Sequence, residues 1–289
     1  MALSGRAFRQ DQAAKPPAYA SMTVDAAGKV MVVTGAGSGM GREIVLELLR
    51  RRARVAAVDM SETRLRETVA LAAGGTDALA MFVVNVTDRA AVEALPQAVV
   101  DRFASVDGVI NCAGIIQPFV RLNELDYAAI DRVFDVNWRG TLYMTKTFLP
   151  WLLKRPEGHI VNISSMGGFL PVPGQTAYGA SKAAVKLLTE GLHSELAGTA
   201  VRVTVVFPGA VATNISANSG VTIAATAGTA PRKIYPADQA ARDILDGMER
   251  NRFRVLVGPD AKLLDRFYRL SPRRATAFIA GQMKDLLSH

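Results

Sequence analysis

Tyr178 and Lys182 stand four residues apart in Ala177-Tyr178-Gly179-Ala180-Ser181-Lys182-Ala183-Ala184, a stretch with helical periodicity. That spacing stacks a phenol and an ammonium on one helix face, one turn apart. A phenol with a pKa of about 10 is a poor base at neutral pH, but a nearby ammonium favours phenolate and tunes it toward general acid–base work. Thirteen residues before the tyrosine, Ser164-Ser165 closes the apolar run His159-Ile160-Val161-Asn162-Ile163. A hydroxyl there can donate to a substrate carbonyl oxygen as negative charge grows on it. A tyrosine–lysine pair alone also arises by chance on solvated helices. Its context has to carry the argument.

A second constellation lies near the start. Val30–Thr34 runs into Gly35-Ala36-Gly37-Ser38-Gly39-Met40-Gly41, followed at once by an amphipathic helical stretch. A glycine-rich strand-to-helix turn lets backbone N–H groups approach a pyrophosphate, and the helix N-terminus adds partial positive charge. The spacing Gly35-xxx-Gly39-x-Gly41 departs from the commoner G-x-G-x-x-G fingerprint, because Met40 falls where its third glycine would stand. Glycine turns also occur with no ligand at all. Here Asp59 ends the second apolar run, 18 residues past Gly41. An acid at that place accepts both ribose hydroxyls and repels a 2′-phosphate. Its competing role is a helix cap ahead of Glu62. Met60 follows it rather than a cation, so the turn, with Ser38 and Met40, points to NAD in preference to NADP.

These groups need a scaffold that brings strand ends together. Short β-branched runs at Val30–Thr34, Arg54–Asp59, Ala80–Asn85, Asp107–Asn111, His159–Ser164, Val201–Phe207 and Arg254–Val257 alternate with helical stretches such as Met40–Arg52 and Ala177–Leu196. Several runs are continuously apolar, as strands covered on both faces are. The pattern predicts an α/β fold: a doubly wound, seven-stranded parallel sheet in a single domain over 29–258. Residues 1–28, with Pro16-Pro17 and no sustained period, read as a flexible arm. Residues 210–231, rich in Ala, Thr, Ser and Gly, interrupt the pattern after the sixth run, where a substrate lid belongs.

Composition narrows the field. Of 289 residues, 49% are hydrophobic and 21% charged, with one Cys and three His. The single thiol excludes an internal disulfide, and the ligand count argues against a zinc centre, so no metal is expected. No apolar run approaches the ~18 residues of a membrane span, and the first 28 residues lack the apolar core of a secretory signal. The expectation is a cytoplasmic protein. Its net charge of +8 is concentrated beyond residue 250, which leaves the main domain nearly neutral and without a nucleic-acid face.

In this order and spacing, Thr34-Gly35-xxx-Gly39-x-Gly41, Asn111-Cys112-Ala113-Gly114, Asn137, Ser165, Tyr178-xxx-Lys182 and Pro208-Gly209-xxx-Thr213 resemble the short-chain dehydrogenase/reductase family over roughly 29–258. The resemblance implies an NAD-dependent alcohol dehydrogenase or ketone reductase. Tyr178 would be its acid/base and Ser165 the holder of the substrate oxygen. Lys182 would bind the nicotinamide ribose and depress the tyrosine pKa, and Asn137 would hold a water that relays protons from Lys182. Pro208, Gly209, Val211 and Thr213 would line the nicotinamide and pyrophosphate side. Asn111, Ala113 and Gly114 would support the central strand and lie over the adenine ribose. Relatives are commonly homotetramers paired through the helices bearing Asn137 and Tyr178.

Two departures stand out. Cys112 replaces the family's alanine and reads as strand packing, since no His or Asp in the motif supports a nucleophile. Asn85-Val86 replaces Asp-Val after the third strand, and the Asn85 amide oxygen can still meet the adenine amine. His193 reads as a surface residue and His159 as structural. Phe134, Trp138, Phe148 and Trp151 read as core or subunit-interface packing.

The C-terminal extension, 259–289, predicts two basic amphipathic helices, the second started by Ser271-Pro272. Leu263, Leu264, Phe267 and Tyr268 form one apolar stripe, and Ile279, Met283, Leu286 and Leu287 form the next. Such a pair can wall an apolar substrate cleft, extend a subunit interface or lie on an anionic membrane. The substrate expectation is an apolar secondary alcohol or ketone. Competing functions are a 3-oxoacyl-thioester reductase using NADPH and a non-catalytic cofactor-sensing scaffold.

Overall fold

The computed structural model describes residues 25–72, 77–221 and 234–282. Alternation along a strand explains the unbroken apolar runs. In β1 (Val30–Thr34), Val30 and Val32 enter one core while Met31 and Val33 enter the other. In β2 (Arg54–Asp59), Ala56 and Val58 join the first of these and Val55 and Ala57 the second. The middle of each of these two strands is buried on both sides, so apolar residues, mostly β-branched or small, fill successive positions.

The remaining strands are β3 (Leu79–Val83), β4 (Gly108–Asn111), β5 (Gly158–Ile163), β6 (Val201–Pro208) and β7 (Arg254–Val257). All pair in parallel, in the order β3-β2-β1-β4-β5-β6-β7. The expected seven-stranded doubly wound sheet is what forms. Strand ends shift by a residue or two, at β3, β4, β5 and β6, from the sequence-based runs.

One layer of helices comprises α1 (Gly39–Arg50), α2 (Glu62–Leu71) and α8 (Ala237–Glu249), which bury Ile44, Leu48, Leu65, Ile244 and Leu245. The opposite layer takes α3 (Arg89–Phe103), α5 (Thr141–Leu152) and α6 (Thr176–Glu195), with Val99, Phe103, Met144, Phe148 and Leu192 inward. Arg50, Arg51 and Arg52 close α1, where cations complement the helix terminus, and one of them does more. Arg51 reaches Asp246 at 2.8 Å and Glu249 at 2.6 Å, tying α1 to α8. Buried His159 meets Thr204 Oγ1 at 2.9 Å, and exposed His193 packs on Phe253 with ring centroids 4.2 Å apart. Both are structural contacts.

The chain reverses its winding between β1 and β4, and their carboxyl ends open a crevice, the place where ligands of such sheets bind. Thr34 Oγ1 closes the floor, accepting from Cys112 N at 3.0 Å and Ala113 N at 3.1 Å. Between α4 (Tyr127–Phe134) and α5, a single π-turn over Asp135–Gly140 widens the helix and carries buried Asn137.

Beyond β6, α7 (Ile215–Asn218) is one short turn, and Val211 forms a parallel bridge with Tyr235. Part of the predicted lid therefore has structure of its own; 222–231 lie outside the described residues, as do 1–24 of the predicted arm. At the C-terminus, α9 (Pro259–Leu270) and α10 (Pro272–Gln282) form, the latter from the Ser271-Pro272 start. Leu264, Ala275 and Ile279 enclose Leu170, with Met166, Phe169, Phe267 and Tyr268 packed around them. Met283, Leu286 and Leu287 fall outside the described residues. Among the described residues no helix is long and apolar enough to cross a membrane.

Candidate active site

The glycine turn is built around contacts that side chains would destroy. A Cβ on Gly41 would lie 2.1 Å from the Gly35 carbonyl oxygen, and one on Gly37 would meet Arg64 Cβ at 2.7 Å and the Asp59 carboxylate at 2.9 Å. Gly39 turns the chain at φ +52°, a conformation that favours glycine. Ser38, in extended backbone, starts α1, which places helix N–H groups at the cleft. The prediction is that Gly41→Ala loses dinucleotide binding and melts earlier, because the clash is with backbone; thermal shift with and without NAD reads both.

An open cleft lies over this turn. Gly35, Ser38, Gly39, Met40 and Gly41 line it, as expected from the sequence. So do Asp59 and Met60 from β2, Asn85 and Val86 after β3, Ala113 and Gly114 after β4, and Thr213 beyond β6. Asp59 accepts from Gly37 N and Ser61 N, each at 3.0 Å. It is not the cap of α2; that is Ser61, whose hydroxyl accepts from Arg64 N at 3.4 Å. Asn85 Oδ1 accepts from Thr87 N at 3.1 Å and remains exposed at the cleft edge.

Six residues expected to bind the cofactor do not line this cleft: Tyr178 and Lys182, which belong to the catalytic group described below, and Asn111, Pro208, Gly209 and Val211. Asn111 is 2% exposed, and its amide donates to Asn162 Oδ1 at 2.8 Å and Thr145 Oγ1 at 3.1 Å. It ties β4 to β5 and α5, so its part is to hold the strand. Pro208 is buried as the last residue of β6. Gly209 lies against the Asp260 carboxylate, which accepts from Ala210 N at 2.8 Å, and Val211 packs on the core beside its bridge to Tyr235.

The cleft is also lined by residues that no sequence motif marks: Arg64, Ile115, Val136, Asn214, Ile215 and Asn218. Asn218 Nδ2 donates to Ser38 Oγ at 2.8 Å, so α7 reaches across to the glycine turn. No local spacing announces a contact between residues so distant in sequence. Arg64 corrects the expectation that no cation stands near Asp59. It follows Asp59 by five positions, on the first turn of α2, and its side chain has no hydrogen bond or ion pair among the described residues. Cys112 also lines the cleft, where burial pushes its thiol up to about 12 against the opposing charge of Lys182. A thiol so placed stays protonated at neutral pH, which agrees with a packing role.

Ser165, Tyr178, Lys182 and Asn137 converge from three elements. A Cβ on Gly167 would sit 3.5 Å from both Ser165 Oγ and Tyr178 Cε1, so the hydroxyl and the phenol ring flank one glycine. A Cβ on Gly114 would lie 3.2 Å from both Asn137 Oδ1 and Lys182 Nζ. Lys182 Nζ donates to Ile163 O at 3.0 Å, and Ser164 Oγ donates to Lys182 O at 2.8 Å, fixing α6 against the end of β5. The Asn137 amide pairs with Ile115 in both directions, at 2.9 and 3.0 Å, and donates to Ser181 Oγ at 3.0 Å.

The electrostatics differ from the simplest expectation. Burial raises the Tyr178 phenol above its ordinary value, and hydrogen bonding with Ser165 only partly opposes this. Burial lowers Lys182 to about 8. The lysine is therefore charged at neutral pH and close to losing its proton in mild alkali. In the protein alone, desolvation of the phenolate outweighs any help from the ammonium.

The glycine cradle, the helix N-terminus and the Asp59 carboxylate fit a nicotinamide dinucleotide. Among the described residues no cluster of His, Cys, Asp and Glu could hold a metal ion. The short chain dehydrogenase family model matches residues 29–223. "Putative oxidoreductase SadH" of Mycobacterium tuberculosis is 38% identical over 246 residues, covering 82% of this chain and 89% of that protein. A 3-oxoacyl-[acyl-carrier-protein] reductase of Thermotoga maritima is 38% identical over 188 residues, covering 64% of this chain and 75% of its own. Among solved structures, a Burkholderia phymatum short chain dehydrogenase/reductase in complex with NAD superposes with a TM-score of 0.75 at 28% identity, over 86% of this chain and 96% of that one. A Burkholderia cenocepacia short chain dehydrogenase in complex with NADP gives 0.75 at 26% identity, over 89% and 99%.

Proposed function

We propose that this chain, which belongs to the short-chain dehydrogenase/reductase family, is an NAD(P)-dependent oxidoreductase that acts on secondary alcohols or ketones with NAD preferred. The observation that carries this is the convergence of Ser165, Tyr178, Lys182 and Asn137 at the same sheet edge as the glycine turn and Asp59. When bound, the nicotinamide supplies the site that accepts or gives the hydride. Ser165 Oγ holds the substrate oxygen. In oxidation the Tyr178 oxygen takes the hydroxyl proton, and in reduction it returns it. Lys182 holds a positive charge near the tyrosine at neutral pH. Asn137, locked by Ile115 and Ser181, keeps the π-turn pressed against α6. A panel of alcohols and ketones, followed by NADH absorbance, tests this; no turnover of any member by folded protein sinks it.

A second reading has its own support. The Thermotoga maritima relative is a 3-oxoacyl-[acyl-carrier-protein] reductase, and Arg64 gives the ribose end of the cleft a cation. A 3-oxoacyl-thioester and NADPH therefore belong in the same panel. Exposed Tyr127 on α4 and Leu187 on α6 support assembly as a homo-oligomer through those helices, which light scattering measures.

The substrate side is closed by α9 and α10. Phe169, four residues past Ser165, packs between Phe207 and Tyr268 with centroids 5.4 and 6.0 Å apart. Arg254 covers the Phe207 ring and pairs with Asp265 through two bonds of 2.8 and 2.9 Å, bolting α9 to β7. An apolar wall beside Ser165 suits an apolar substrate. Truncation after Gly258 is expected to raise KM for bulky substrates more than for small ones, with NAD affinity unchanged. The outward face carries exposed Leu263, Leu270 and Phe278 beside Lys262, Arg266 and Arg273. If truncation leaves kinetics untouched but removes the protein from anionic liposomes, the pair is a membrane-surface element instead.

A further inference from the structure

The first turn of any α-helix has N–H groups without intrahelical partners, usually capped by the side chain just before it. In α6 that residue, Gln175, makes no capping bond. Its Nε2 donates instead to the Gln117 carbonyl oxygen at 2.8 Å. The cap comes from the other end of that contact: Gln117 Oε1 accepts from the N–H of Tyr178 itself at 2.9 Å, across 61 residues of chain. Gln117 Nε2 donates to Gly174 O at 2.9 Å, in the turn that precedes the helix. The side chain is 1% exposed, and both ends of its amide are used.

The two residues before it are engaged as well. Ile115 is the partner of the Asn137 amide, and Ile116 N donates to Ser219 Oγ, at the end of α7, at 3.0 Å. Three consecutive residues after β4 thus hold Asn137, α7 and the tyrosine-bearing turn. We propose that Gln117 is a positioning residue for Tyr178, fixing the first turn of α6 so that the phenol stays beside Ser165. The proposal rests on Tyr178 being the acid/base. A misplacement of about 1 Å at such a group can cost on the order of 10²-fold in rate.

The test compares wild type with Gln117→Met, which removes both polar contacts, and Gln117→Glu, which keeps an oxygen opposite the Tyr178 N–H. In Gln117→Met, kcat is expected to fall at least tenfold while Kd for NAD stays within twofold, and the Tyr178 amide should exchange with solvent at least tenfold faster. Gln117→Glu should recover most of both. A folded Gln117→Met with kcat within twofold of wild type overturns the proposal. So does loss of NAD affinity in proportion to kcat, which would mean that the cleft as a whole had slackened. If Gln117→Met does not fold, Gln117→Glu decides alone: slow Tyr178 amide exchange with near-wild-type kcat supports the proposal, and fast exchange with wild-type kcat overturns it. A wild type that turns over nothing refutes the hydride-transfer reading. The exchange rate still tests the cap in that case, and an unchanged rate in Gln117→Met overturns it.

Discussion

Tyr178→Phe is expected to lose turnover by about 10²–10⁴-fold, the ordinary worth of general acid–base catalysis, while Kd for NAD stays near the wild-type value. The phenol oxygen is the only atom removed, and it lies on the Ser165 side of the cleft rather than among the glycine and Asp59 contacts. The pH dependence follows from burial. With the phenol raised above its ordinary value, oxidation, which needs the phenolate, should climb with pH, whereas reduction, which needs the phenol, should not. Lys182, at about 8, adds an opposing limb in alkali as its charge is lost. Steady-state rates in both directions across pH 6–10 check this. Appreciable activity in pure Tyr178→Phe sinks the mechanism, and an oxidation rate that falls from pH 6 to 8 sinks the electrostatic account.

What could be seen in the sequence was whatever local spacing dictates. A four-residue step on a helix puts Tyr178 and Lys182 on one face, and the glycines from Gly35 to Gly41, with Asp59 closing the next strand, mark a cradle. Apolar runs of five or six residues foretell strands covered on both faces. Contacts assembled from distant segments stayed hidden. Asn111 sits in a motif beside Ala113 and Gly114, yet as the last residue of β4 it points into the helix layer, while the residues after it line the cleft. Arg64 stands five positions beyond Asp59, where no local spacing marks it, and the first turn of α2 brings it to the same ribose end. Gln117 has no neighbour in sequence that would mark it. Its importance arises only when the loop after β4 meets the start of α6. The tyrosine's raised pKa was likewise unreadable, because desolvation depends on the whole wall around the phenol.

Cofactor choice turns on two opposed side chains at the ribose end. The Asp59 carboxylate, held by Gly37 N and Ser61 N, presents negative charge where a 2′-phosphate would sit, and Arg64 offers a guanidinium in the same cleft. Asp59 should win. It is fixed by two backbone N–H groups, whereas Arg64 must be drawn from a flexible side chain to meet an anion. Wild type is thus expected to favour NAD in kcat/KM. Asp59→Asn, which keeps an oxygen for Gly37 N–H and removes only the charge, should narrow the gap. Asp59→Ala with Met60→Arg should move the ratio toward NADP by on the order of 10²-fold, since a charged hydrogen bond is worth about 1.5–3 kcal/mol and each 1.4 kcal/mol is tenfold. Arg64→Gln in that background should return part of the shift, because it leaves only the introduced arginine beside the phosphate. Paired kcat/KM measurements with NAD and NADP across the series decide the matter. Equal values for the two cofactors in the wild type would show that Asp59 is not a selector, and a double variant that loses both cofactors equally would show that its bonds to Gly37 and Ser61 shape the cradle more than its charge does.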